Sequence, residues 1–243
     1  MIKNSVFAFV VGMTLSVRAL SLPDAARSGS PCEAEPGKSK LLHEAGDLAL
    51  FVGETDADAA FNAEPKQKYD WGIRNSLFLR RRTKGGKDEW RLLLTSGGDW
   101  KDADDMGEWG KNMANDIRKC FNVIRACLSK DGRYVWMVYD PDISLYNVVC
   151  RFDLRENSLR VLTDGDSADE EPDGTIWVLN KKIYLYDKNG EPDGAGWIEE
   201  WITPDGKVVR KGEPKRQEAV LGYDEAVRLR RKARSKKQKG NER

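Results

Sequence analysis

"DGTIWVLNKKIYLYDKNG", residues 173–190, is the stretch on which the reading of the fold turns. Two apolar runs, 175–179 and 182–187, flank a polar Asn180-Lys181 step and end on the turn-forming Asp-Lys-Asn-Gly, so the stretch reads as a complete β-hairpin. Its opening Asp-Gly returns at Asp131 and Asp205. Asp131 and Asp173 lie 42 residues apart, and each heads a strand that carries a tryptophan, Trp136 or Trp177. Those tryptophans sit among Val135 and Val138 or Ile176 and Val178 without polar alternation, which is the composition of a strand covered on both faces. Trp136 and Trp177 are therefore expected at equivalent places in consecutive sheets, with Asp131-Gly132 and Asp173-Gly174 as equivalent turns.

Outward from this stretch, residues 47–212 keep one texture, short apolar or alternating runs broken by Gly, Asn and Asp, which argues for strands over helices. Eleven strands are expected, at 48–53, 76–82, 89–96, 121–129, 133–139, 147–154, 158–164, 175–179, 182–187, 196–202 and 207–211. A recurrence of about 40 to 45 residues is that of a four-stranded blade. The quoted stretch resembles the "DG-x-x-W … Y-x-Y/F-D" repeats of bacterial regulator-type β-propellers, and "SKDGRYVW" at 129–136 is similar to the turns of periplasmic propellers. The resemblance covers 121–209 and, more loosely, 48–96. It implies an all-β protein of about three four-stranded antiparallel blades, with a β-sandwich as the alternative. Closed propellers have about four to eight blades, so three imply an incomplete ring or one completed by a second copy in a homodimer.

The ends of the chain differ from this middle. Lys3, the 13-residue apolar run 5–17 and the Val17-x-Ala19 step read as a secretory signal peptide cleaved near Ala19, giving a secreted or periplasmic protein. The run is shorter than the roughly 20 residues that span a bilayer as a helix. Residues 20–46, rich in Pro, Gly, Ser and Ala, read as a linker, and 213–243 as a tail. Residues 1–206 carry a net charge of −8 and 207–243 a net charge of +9, so the body is acidic and the tail basic. Val220, Tyr223 and Val227 have helical spacing, which predicts a short docked helix followed by a disordered basic end. Arg228, Arg230, Arg231, Lys232, Arg234, Lys236 and Lys237 would offer that end to an anionic envelope component.

Export also changes the reading of Cys32, Cys120, Cys127 and Cys150, since oxidising compartments permit disulfides. If "CFNVIRAC" is one extended strand, Cys120 and Cys127 stand too far apart to be bridged, which leaves Cys32 paired with Cys120 and Cys127 with Cys150, or Cys32 with Cys127 and Cys120 with Cys150. No zinc spacing accompanies them, and the acidic turns from Asp164 and Asp187 lack the glycine and glutamate of an EF-hand loop, so neither metal nor cofactor is expected. The single His43 reads as a surface or helix-end residue. Arg80, Arg81, Arg82, Lys84 and Lys87 concentrate positive charge on one hairpin; pairing with acidic neighbours is expected there, and export argues against nucleic acid.

The most site-like segment is "GGDWKDADDMGEWGKN", residues 97–112, where Asp99, Asp102, Asp105 and Glu108 accompany Trp100 and Trp109. Tryptophan faces beside carboxylates suit a sugar, and paired carboxylates are what glycoside hydrolysis requires. The plainer reading makes the two tryptophans plugs of the core. No catalytic constellation is recognised, so the expected function is that of an exported, non-catalytic binding or scaffold protein presenting loops to a glycan, peptide or protein. The alternatives are a secreted carbohydrate-active enzyme using residues 97–112, and an envelope-complex subunit tethered by the basic tail.

Overall fold

The computed structural model describes residues 30–32, 35–64, 72–83, 85–141, 147–216 and 220–241, so the leader reading of residues 1–19 lies outside the described residues. The protein is mostly β, with 48% of residues in strands and 17% in helices. The first sheet comprises β1 (Ser30–Cys32), β2 (Gly37–Ala45), β3 (Leu48–Glu54), β4 (Ser76–Arg82) and β5 (Asp88–Leu94), in the order β1-β5-β4-β3-β2. The second comprises β6 (Lys101–Asp102), β7 (Val123–Leu128), β8 (Tyr134–Tyr139), β9 (Val148–Asp153) and β10 (Ser158–Asp164), in the order β6-β10-β9-β8-β7. The third runs in chain order through β11 (Asp169–Glu170), β12 (Ile176–Tyr186), β13 (Pro192–Ile202) and β14 (Val208–Lys211). Helix α1 (Asp56–Ala63) follows β3, α2 (Glu108–Lys119) precedes β7, and α3 (Tyr223–Asn241) comes after β14.

Each sheet contains one antiparallel four-strand meander: β2 to β5, β7 to β10, and β11 to β14. Two sheets depart from the expected four strands. β1 adds to the free edge of β5, and β6 adds parallel to β10.

Alternation along the strands explains how the sheets stack. Successive side chains of a strand point to opposite faces. On β8, Val135, Met137 and Tyr139 pack with Leu50, Leu77 and Leu79 of the first sheet, while Trp136 and Val138 pack with Ile176, Val178 and Ile202 of the third. On β12, Ile176 and Val178 face the second sheet, while Trp177 and Leu179 meet Tyr223, Ala226 and Val227 around α3. The order is thus first sheet, second sheet, third sheet, α3. This is why the strands read as apolar throughout. Burying each such side chain stabilises the fold by about 1.5–3 kcal/mol.

Trp136 and Trp177 both lie on the second strand of a meander, in separate sheets, each turned toward the next layer. The turns before them match. The Gly132 amide donates to the Ser129 carbonyl at 2.9 Å and the Gly174 amide to the Glu171 carbonyl at 3.0 Å. Both glycines have positive φ, 67° and 82°, which a residue with a Cβ adopts at a cost. Asp131 and Asp173 each accept the amide two residues on, from Arg133 and Thr175.

Four sequence expectations are corrected. Residues 173–190 do not fold back as a hairpin: 176–186 is one strand, β12, and its partner is β13. The Asn180-Lys181 step is a bulge, with Asn180 at φ 55° and its side-chain amide donating to Asp166 at 2.8 Å and to the Leu221 carbonyl at 3.0 Å. The span 20–46 is not simply a linker, since it holds β1 and β2. The tail helix is not short: α3 runs 19 residues to Asn241.

The fourth correction concerns the cysteines, all of which are free thiols. Cys127 packs with Trp136 on one face of the second sheet and Cys150 with Met137 on the other, so the sheet itself separates them. The basic hairpin finds its acidic partners on the neighbouring β2–β3 hairpin rather than in the acidic loops: Arg80 reaches Glu44 at 3.1 Å and Arg81 reaches Asp47 at 3.6 Å, while Lys84 lies outside the described residues.

Candidate binding pocket

The first strands of the three meanders, β2, β7 and β11, converge with α3 on one concave pocket of about 470 Å³. β2 contributes Lys40, Leu42 and His43; β7 contributes Ile124, Arg125 and Cys127; Asp169 comes from β11; Tyr223 and Arg231 come from α3. Trp136 and Val138 of β8 also line it. That volume lies within the range of about 300–1,000 Å³ typical of small-molecule sites.

His43, Cys127 and Asp169 each have a hydrogen-bond partner within the protein. Nδ1 of His43 accepts the Leu128 amide at 3.3 Å, which leaves the ring proton of the neutral imidazole on Nε2. Burial pushes the His43 pKa below its ordinary value, opposed by the charge of Asp169. The Cys127 thiol donates to the Ala168 carbonyl at 3.3 Å, and burial pushes its pKa up, away from the thiolate. The Asp169 pKa is raised, chiefly by burial, while hydrogen bonding from Tyr223 and the charges of Arg230 and Arg125 oppose the rise. Tyr223 donates to Asp169 with its phenol 3.1 Å from both carboxylate oxygens.

Arg125 is held from two sides. Its Nε donates to the Asp166 carbonyl at 3.2 Å and its guanidinium stacks 4.0 Å from the centre of the Tyr223 ring. α3 is fixed by a similar device. Arg230 lies 4.0 Å from the centre of the Trp177 ring and 5.3 Å from that of Trp201, and pairs with Glu171. A smaller recess of about 170 Å³ between β11 and α3 shares Asp169, Tyr223 and Arg231 with the main pocket.

The residues singled out in 97–112 do not line this pocket. Trp100 is 6% exposed, packed at 6.2 Å from Phe121, and offers no face to a ligand. Trp109, at 41% exposure, stands on the surface of α2, and Glu108 lies in that helix's first turn. Asp102 is paired with Arg118 at 2.5 Å, Asp105 with Arg160, and the backbone carbonyl of Asp99 accepts from Asn157 at 2.5 Å. In the tail, Arg230 is committed to Glu171 and two tryptophans, and Arg231 lines the pocket. Arg228 and Lys232 are exposed, Arg228 pairing with Glu225; the side chains of Arg234, Lys236 and Lys237 lie outside the described residues.

Among the described residues no group of three or more His, Cys, Asp or Glu is arranged to hold a metal, and no helix is long and apolar enough to cross a membrane. Comparison with protein-family models, curated proteins and solved structures gives no match.

Proposed function

We propose that the three meanders are blades of an incomplete, propeller-like stack, and that the chain is an exported, non-catalytic binding protein holding a small molecule where the first strands converge. The observation that carries this reading is the pocket itself. Five separate elements deliver side chains to it, while His43, Cys127 and Asp169 are each tied into hydrogen bonds that oppose acid, base or nucleophile chemistry. In this reading α3 covers the face of the third sheet that a further blade would cover, so a second copy is not needed there. A carbohydrate-active site at 97–112 has less support, because Asp102 and Asp105 are held in ion pairs. Attachment of the tail to an anionic envelope component would fall to the exposed Arg228 and Lys232 and to the basic residues beyond them.

The test is a screen of small molecules against the full chain by thermal shift, repeated with Leu42→Trp, which places an indole on the pocket wall. Compounds that stabilise the native chain and lose their effect in the variant support the reading. Compounds that stabilise both equally bind elsewhere and contradict it.

A further inference from the structure

We infer that the pocket takes a small organic acid, its carboxylate held at Arg125 and Lys40 and its apolar body laid against Leu42 and Ile124. This rests on the reading of the pocket as a ligand site. Three cations, Lys40, Arg125 and Arg231, line the pocket against a single carboxylate, Asp169. That carboxylate is already occupied by the Tyr223 phenol, so it is poorly placed to receive a ligand cation. Arg125 forms no ion pair within 4 Å among the described residues, although its guanidinium is fixed by the Asp166 carbonyl and the Tyr223 ring.

A guanidinium anchored through Nε keeps its planar terminal nitrogens for an oxyanion, and being held in advance it loses little freedom when that oxyanion binds. Lys40, on the exposed strand β2, adds a mobile charge at the rim. Leu41, Leu42 and Ile124 supply aliphatic surface in the same lining, against which a short hydrocarbon body can lie.

The experiment titrates the full chain with medium-chain and aromatic carboxylates, and with their isosteric primary amides and amines, by calorimetry. The carboxylates are expected to bind about 10- to 100-fold more tightly than the amides, the value of one charge-assisted pair. Arg125→Ala should erase that preference, and Lys40→Glu, at an exposed site that should leave the fold intact, should weaken carboxylates several-fold while sparing amides. Amides or amines that bind in the pocket as well as the carboxylates do would overturn the inference and leave the binding reading standing. Failure of every probe to bind, with Leu42→Trp also without effect on any stabilising compound, would overturn both.

Discussion

The Tyr223 phenol, at the start of α3, donates to the carboxylate of Asp169 on β11 with its oxygen 3.1 Å from each carboxylate oxygen. One contact thereby joins the last helix to the edge strand of the third sheet, within the lining of the pocket. Burial raises the Asp169 pKa above its ordinary value of 3.8. A carboxyl whose folded pKa is raised contributes most stability below its unfolded pKa, and that contribution is lost as pH rises through the folded value. Asp169→Asn keeps an oxygen acceptor for Tyr223 and removes the charge. Urea denaturation over a pH series should show the variant gaining on the native chain as pH rises above about 4 and then levelling off. A pH-independent loss in the variant would contradict this. Tyr223→Phe, which leaves the carboxylate without its donor, should cost about 1–3 kcal/mol at neutral pH.

His43 shifts in the opposite sense. Its folded pKa lies below 6.5, so the stability it contributes is present above 6.5 and is lost as pH falls through the folded value. As the chain's only histidine, it gives one set of imidazole signals in a proton NMR titration. The titration midpoint should fall below that of a free imidazole side chain. His43→Asn, which preserves an acceptor for the Leu128 amide, should remove the corresponding acid-side loss of stability.

Arg230 should govern the docking of α3. Its guanidinium lies over Trp177 and Trp201 and pairs with Glu171, a residue only 8% exposed. Arg230→Ala removes the ion pair with Glu171 and both ring contacts, and should cost about 2–4 kcal/mol. Arg230→Lys restores the charge but not the planar stack, and should recover only part of the loss. Hydrogen exchange would show α3 and the edge of β12 opening first.

Trp100 and Trp109 separate in the same way. Trp100→Ala should cost about 3–5 kcal/mol in chemical denaturation, whereas Trp109→Ala should stay within about 0.5 kcal/mol. Equal effects at the two positions would mean that α2 is seated differently.

Much of this fold is legible in the sequence where a strand is covered on both faces. The bounds of β4 and β10 coincide with the apolar runs at 76–82 and 158–164, and the Asp-Gly turns appear because only glycine takes their positive φ easily. β2 was hidden because it is largely exposed: "GKSKLLHEA" carries too few apolar residues to alternate. β12 reads as two runs in the sequence because Asn180, a turn former, serves there in a bulge. The pocket could not be read locally, since His43, Arg125, Asp169 and Tyr223 come from four distant elements. The one local signal was Arg125, a charge inside the otherwise apolar "VIRACL".

The convergence of β2, β7, β11 and α3 is the proposed ligand site. The most direct measurement follows the His43 imidazole signals by NMR during titration of the full chain with medium-chain carboxylates. A saturable shift of the His43 signals that disappears in Arg125→Ala is expected. Carboxylates that bind the chain while leaving the His43 signals unmoved would contradict it.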